Sequence, residues 1–246
     1  MIRVRIETAQ GSTPREAGAV MIVTTDATQG SIGGGALEYM AIDRARQMLG
    51  QGETRARMDV PLGPEIGQCC GGRLTLSLTA VDVMPPEPPR PEVLIFGAGH
   101  VGRALARALA LLPLAPVLID SRADELALAP GLPARLTPLP EAEIRAARPG
   151  SAVVIATHGH ALDFLLAAEA LARADLPYIG MIGSATKRAQ FHRFARARGI
   201  DPAQLTCPIG AGGSPDKRPA VIAAMTAAEI ITTLNASCLK KYPCDI

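Results

Sequence analysis

Along the first third of the chain, apolar and polar positions alternate in short runs and switch once to a helical period. Residues 3–8 and 19–25 read as strands, parted by the turn-rich Gln10-Gly11-Ser12-Thr13-Pro14-Arg15-Glu16. The triplet Gly33-Gly34-Gly35 follows; then Leu37, Met40, Ala41, Ala45 and Met48 recur at helical spacing, with Glu38, Asp43 and Arg46 on other faces. Residues 54–60 and 73–83 return to the strand pattern. They flank Gly63-Pro64-Glu65-Ile66-Gly67-Gln68-Cys69-Cys70-Gly71-Gly72. The pattern predicts a small α+β unit carrying Gly-rich loops.

The pattern then breaks at Pro85-Pro86-Glu87-Pro88-Pro89-Arg90-Pro91, where five residues of seven are proline. Such a stretch lacks backbone donors and stays extended, which marks a boundary. Beyond it, short apolar runs alternate with helical periods. Residues 93–96, 116–120, 152–157 and 178–182 read as buried strands, and 100–111, 162–174, 186–198 and 219–234 as helices. That alternation predicts a parallel sheet covered by helices on both faces. The expected fold is therefore α/β: an N-terminal α+β domain (1–84), a Pro-rich linker (85–91) and a Rossmann-like domain (92–246).

Composition narrows the function classes. With 246 residues, a net charge of +2, three Tyr, four Phe and no Trp, the chain has neither a basic footprint nor stacking platforms for nucleic acid. The start, Met1-Ile2-Arg3-Val4-Arg5-Ile6-Glu7, alternates charge with hydrophobe and does not read as a signal peptide. The most apolar stretch, 105–119, is interrupted by Arg107, Pro113 and Pro116, so no membrane span is expected. Five cysteines, an odd number with two adjacent, do not form a disulfide framework, and a cytoplasmic location is the default.

The sharpest chemical signal is Gly97-Ala98-Gly99-His100-Val101-Gly102, placed between a predicted strand and a predicted helix. Gly97, Gly99 and Gly102 have the spacing that lets a phosphate approach backbone N–H groups at a helix start. Asp120, at the end of the next strand, is placed to accept hydrogen bonds from a ribose hydroxyl. By itself this points to an NAD(P)-dependent oxidoreductase, with His100, His158, His160 and Lys187 as candidate proton donors or clamps. Thr157-His158-Gly159-His160 lies at a strand's carboxyl end, where a loop–ligand role is favoured over a metal. Alternatively, His160 starts a helix and His158 bonds within the loop. Ser184 is placed to cap a helix, and Lys187 with Arg188 to reach an anion there, or else to form a solvated basic face. Gly210-Ala211-Gly212-Gly213-Ser214-Pro215-Asp216-Lys217-Arg218 is a third loop of this kind. Cys69 and Cys70 suggest either sulfur or soft-metal chemistry or a pair of buried, inert thiols.

Taken in order, these motifs resemble one family. Gly11-Ser12-Thr13-Pro14-Arg15, Ile32-Gly33-Gly34-Gly35 with Glu38, and Gly67-Gln68-Cys69-Cys70-Gly71-Gly72 are similar to the N-terminal signatures of the xanthine dehydrogenase accessory protein (XdhC/CoxI) family. Phe96-Gly97-Ala98-Gly99-His100-Val101-Gly102, Thr157-His158-Gly159-His160 with Asp163, and Tyr178-Ile179-Gly180-Met181-Ile182-Gly183-Ser184 with Lys187-Arg188 resemble its Rossmann half. The resemblance implies an accessory protein, not an enzyme, that binds the molybdenum cofactor and protects it. It further implies that the chain supports cofactor sulfuration with a cysteine desulfurase and hands the cofactor to xanthine dehydrogenase or a related molybdenum hydroxylase.

On that reading Gln68, Cys69, Cys70, Gly71, Gly72, Gly33, Gly34 and Gly35 face the cofactor, with Cys69 and Cys70 near molybdenum or the transferred sulfur. In the Rossmann half the corresponding positions are Gly97, Gly99, His100, Gly102, Asp120, His158, Ser184 and Lys187. The alternatives are the NAD(P) oxidoreductase and a scaffold that joins desulfurase to target without holding cofactor. A homodimer is the default assembly for such a fold.

Overall fold

The computed structural model describes residues 1–64, 71–84 and 89–241, with 235–241 by backbone alone. The chain divides into two compact units, Met1–Pro88 and Pro89–Ile246.

The first unit is an antiparallel sheet with one helix. Strands β1 (Ile2–Gln10), β2 (Val20–Val23) and β3 (Thr28–Gly30) precede α1 (Gly35–Gln51), and β4 (Arg55–Pro61) and β5 (Arg73–Ala80) follow. The sheet order is β3-β2-β1-β5-β4. Strict alternation in β1 buries Ile2, Val4 and Ile6 against Leu74, Leu76 and Leu78 of β5 and turns Arg3, Arg5 and Glu7 away. Onto this face α1 lays Leu37, Ala41, Ala45 and Met48. Each fully buried Leu, Ile or Met contributes about 1.5–3 kcal/mol relative to exposure. Met40, expected on the same stripe, lies outside it and is 39% exposed. The helix stops at Gly52, whose left-handed φ of 69° returns its N–H to the Met48 carbonyl.

The second unit is doubly wound. Its strands are β6 (Glu92–Phe96), β7 (Ala115–Asp120), β8 (Ala134–Leu136), β9 (Ala152–Ile155), β10 (Tyr178–Met181) and β11 (Leu205–Thr206). Its helices are α2 (His100–Leu109), α3 (Ala123–Ala127), α4 (Pro140–Ala146), α5 (His160–Leu171), α6 (Ala185–Arg196) and α7 (Pro219–Lys241). All strand pairs are parallel, in the order β11-β10-β9-β6-β7-β8. Helices cover both faces, so each central strand feeds two cores. Leu94 and Phe96 of β6 join Leu166 and Phe191 on one side, while Val93 and Ile95 join Leu105 and Ile230 on the other. This is why β6, β7, β9 and β10 read as unbroken apolar runs.

The pieces absent from the sequence expectation are β3, β8, β11, α3 and α4, all seven residues or fewer. In β3 and β8 every residue is exposed, so no apolar alternation marks them. Helix α5 starts at His160, two residues before the expected 162, and α7 runs on past 234 to Lys241.

Candidate functional site

In an open α/β sheet of this order, the first two strands to diverge in connection direction leave a crevice at their carboxyl ends. Here those strands are β6 and β9, which are neighbours in the sheet although their sequence positions are far apart. The glycine loop at 97–102 leaves β6 and Thr157-His158-Gly159 leaves β9. The two loops touch: a Cβ on Gly97 would sit 2.1 Å from the Ala156 carbonyl oxygen. A narrow crevice beside them is lined by Phe96, Gly97, Asp120, Ser121, Thr157 and His158. A larger cavity of about 300 Å³ lies at the opposite, amino-terminal strand ends, around Pro91, Arg148 and Ser151. It holds none of the predicted site residues.

The glycines of the fingerprint do different jobs. Gly97 takes a φ of 109°, and Gly102 lies so close beneath the turn that its Cβ would be 1.9 Å from the Gly97 carbonyl oxygen. Those two shape the turn and bring α2 onto the sheet. Gly99 is different. Its φ of −66° suits any residue, and a Cβ built on it meets nothing within 4 Å. No internal constraint calls for glycine at 99. The N–H groups of the first turn of an α-helix such as α2 have no intrahelical partners. His100 is the first residue of α2 and is exposed.

Asp120 stands beside the loop but faces inward. Its Oδ2 accepts the Ala98 N–H at 2.8 Å and Nη2 of Arg122 at 2.8 Å, and its Oδ1 accepts the Arg122 N–H and Nε, each at 3.0 Å. Burial opposes this charge, but the Arg122 guanidinium and then the Ala98 and Arg122 N–H groups outweigh it and hold the carboxyl below its ordinary range. The Ala98 carbonyl in turn accepts from Arg103 Nη1 at 2.5 Å, and Arg103 pairs with Glu125 at 2.5 Å. The Ala98 peptide is thus clamped from both sides. Arg103, Arg122 and Glu125 were not singled out from the sequence, although an Arg two residues after the strand-end Asp is a legible signal.

A second inward carboxylate fixes the neighbouring loop. Asp163, fully buried on α5, accepts the Thr157 N–H at 3.1 Å and the Thr157 hydroxyl at 2.6 Å, and pairs with Lys187 Nζ. Ser184 caps α6 as expected, accepting the Lys187 N–H at 3.2 Å. The Lys187 side chain does not belong to a solvated basic face. It is buried and committed to Asp163, with its stem packed so closely beside Gly183 that a Cβ there would be 2.9 Å from Lys187 Cδ. The same Cβ would be 3.2 Å from Sγ of Cys207, a buried thiol that burial pushes up and Lys187 and Arg188 pull down. Arg188 donates to the Cys207 carbonyl at 3.3 Å. His158 and His160 are both exposed, and among the described residues the bonds within their loop are made by Thr157.

In the first unit the Gly-rich motifs converge at one end of the sheet. A Cβ on Gly72 would strike the Ser12 carbonyl oxygen at 2.3 Å, and one on Gly33 would strike Pro14 Cγ at 2.5 Å. The N–H groups leading into α1 are already answered. Glu38 Oε1 accepts from the Ser31 hydroxyl at 2.7 Å, Ile32 N at 2.9 Å and Gly33 N at 3.3 Å. Burial works against the Glu38 charge, but Ser31 and the N–H groups of Gly34, Ile32 and Gly33 hold its carboxyl below the ordinary range. Gly34 precedes α1 and Gly35 begins it. Gly71 and Gly72 bond the Leu62 backbone, each at 2.8 Å, and so close the base of the segment between them. Gln68, Cys69 and Cys70, with their expected molybdenum or sulfur contact, lie outside the described residues. Among the described residues, no group of three or more His, Cys, Asp or Glu could hold a metal ion. No helix among them is long and apolar enough to cross a membrane.

Known proteins match this arrangement. A model of the XdhC Rossmann domain matches residues 93–230, and a model of the XdhC and CoxI family matches residues 2–60. The uncharacterized protein YqeB of Escherichia coli K12 is 29% identical over 244 residues, covering 94% of this chain and 43% of its own length. The chain therefore spans less than half of that curated relative. A crystal structure described as a xanthine dehydrogenase from Bacillus halodurans superimposes with a TM-score of 0.82 at 19% identity, covering 96% of this chain and 91% of that one. At that identity the likeness speaks for the fold. The glycine loop, the Rossmann order and the family models converge: the chain belongs to the XdhC and CoxI family.

Proposed function

We propose that the chain is an accessory protein for xanthine dehydrogenase or a related molybdenum hydroxylase, and that its cargo is the molybdenum cofactor. The observation that carries this reading is Gly99. Its backbone needs no glycine, its Cβ direction is open, and it precedes a helix start whose first N–H groups have no intrahelical partner. That arrangement fits the phosphate of a pyranopterin.

In this reading Gly97 and Gly102 shape the loop, Gly99 and His100 present their N–H groups, and Asp120 and Asp163 keep the two loops rigid before cargo arrives. Ser184 and Lys187 position the loop before α6 by capping that helix and holding Asp163, without touching cargo. Cys69 and Cys70 serve the sulfur chemistry, since thiols suit a soft metal and its sulfur ligands. A cysteine desulfurase supplies the sulfur, and the loaded cofactor passes to the target enzyme. The protein works in the cytoplasm as a homodimer.

The test is an equilibrium titration of the purified chain with isolated molybdenum cofactor, followed by sulfuration with a desulfurase. The wild type should bind, and Cys69→Ala/Cys70→Ala should lose sulfuration support. Identical binding and sulfuration in the double variant would remove the cysteines from the account.

A further inference from the structure

A Rossmann domain ordinarily reads a nucleotide through two features: N–H groups for the diphosphate, and a strand-end carboxylate for the ribose diol. This chain has both by sequence, yet the carboxylate is saturated. An ionised carboxylate offers about four lone-pair sites. In Asp120 all are taken, by Ala98 N, Arg122 N, Arg122 Nε and Arg122 Nη2, at 2.8–3.0 Å. Its side chain is only 4% exposed beneath the Arg122 guanidinium. On its other side Arg122 approaches Glu125 at 3.8 Å, and Glu125 is held by Arg103. The fork is fixed between two carboxylates.

We propose that Arg122 closes the ribose subsite, so that the glycine loop at 97–102 takes a phosphate carried by a group without an adenosine ribose, and binds neither NAD nor NADP. This rests on the reading above that the loop receives a phosphate, and it narrows the ligand class. The 2′-phosphate of NADP finds no welcome either. Arg122 is spent on Asp120, and Asp124 and Glu125 stand within the same turn, so this spot carries more carboxylates than the two guanidinium groups can neutralise.

The geometry makes a gain of binding the natural test. Removing the Arg122 side chain leaves the Ala98 and Arg122 N–H bonds in place and frees one lone-pair site on each oxygen. Two acceptor sites on one carboxylate are what a cis-diol requires. The wild type, titrated with NAD⁺ and with NADP⁺ by calorimetry, should show no saturable binding up to about 1 mM. Arg122→Ala should bind NAD⁺ about tenfold or more tightly than the wild type, since bonds to a charged acceptor are the stronger kind, and should gain nothing for NADP⁺. Arg107→Ala, an exposed arginine on α2, should behave as the wild type.

Arg122→Gln, which keeps a polar stem without the charged fork, should show the same selective gain and serves if the alanine variant unfolds. Saturable wild-type binding of either dinucleotide below about 1 mM overturns the proposal whatever the variants do. So does a folded Arg122→Ala or Arg122→Gln with no gain for NAD⁺, or with a gain for NADP⁺. None of these outcomes touches the molybdenum cofactor titration, so the two claims fail separately.

Discussion

Gly97, Gly99 and Gly102 belong to a single motif, and the structure predicts that alanine at each has a different effect on stability. At Gly102 the new Cβ would lie 1.9 Å from the Gly97 carbonyl oxygen and 3.1 Å from its carbon. That neighbour is backbone and cannot swing aside, so α2 must shift; the cost is about 3 kcal/mol, at the upper end for overpacking. At Gly97 the Cβ meets the Ala156 carbonyl at 2.1 Å, and the residue must also hold a φ of 109°. The clash and the backbone penalty together cost about 2–5 kcal/mol. At Gly99 neither term exists. Alanine is a poorer N-cap than glycine by about 0.5–1 kcal/mol, but it restricts the unfolded chain and returns about 0.4–1 kcal/mol. Thermal unfolding followed by circular dichroism reads the difference, at about 2–4 °C per kcal/mol for a chain of this size. Gly102→Ala should melt about 6–12 °C below the wild type, and Gly99→Ala within about 2 °C of it. A Gly99→Ala variant as unstable as Gly102→Ala would show that the space over α2 is filled by the chain itself and would remove the basis for a ligand there.

Two further predictions concern the inward carboxylates. Lys187→Met leaves Asp163 buried and uncompensated and should cost about 3–5 kcal/mol in urea unfolding, while Lys187→Met/Asp163→Asn should recover part of the loss; a single variant within about 1 kcal/mol of wild type would refute the role given to the pair. Asp120 and Glu38 both titrate below the ordinary carboxylate value in the folded chain. Their stabilisation is therefore complete above the unfolded value near pH 4 and is lost as pH falls through the lower folded value. Stability measured from about pH 5 to pH 2 should decline, and Asp120→Asn should decline less steeply; parallel curves would contradict the assignment.

The architecture was legible because it depends on local pattern. The runs at 93–96 and 116–120 are buried on both faces and carry no polar interruption, and the glycine spacing sits where strand turns into helix. The short elements were not legible. Residues 28–30 and 134–136 are strands only because a neighbour pairs with them, and nothing in their side chains records that pairing. The site was half legible. Asp120 was located, but its orientation was not, because direction depends on what fills its lone pairs. Arg122 fills them from two residues away, within sight of the sequence. Lys187 and Asp163 are different: they sit 24 residues apart on separate helices, and only the sheet's crossover brings them together. A basic pair after a capping serine looks like a solvated face until the fold supplies the buried partner. Cys207 carries no signal for the same reason, since nothing near it in sequence indicates burial beside Gly183.

The central claim is that the open space over Gly99 receives the phosphate of the molybdenum cofactor. The most direct measurement is an equilibrium titration of isolated cofactor into the wild type and into Gly99→Ala, the variant expected to keep its stability. Saturable binding by the wild type is expected, with affinity weakened about tenfold or more in Gly99→Ala, because the added methyl stands where the phosphate must meet the backbone N–H groups. No binding by the wild type, or equal affinity in the two proteins, would contradict it.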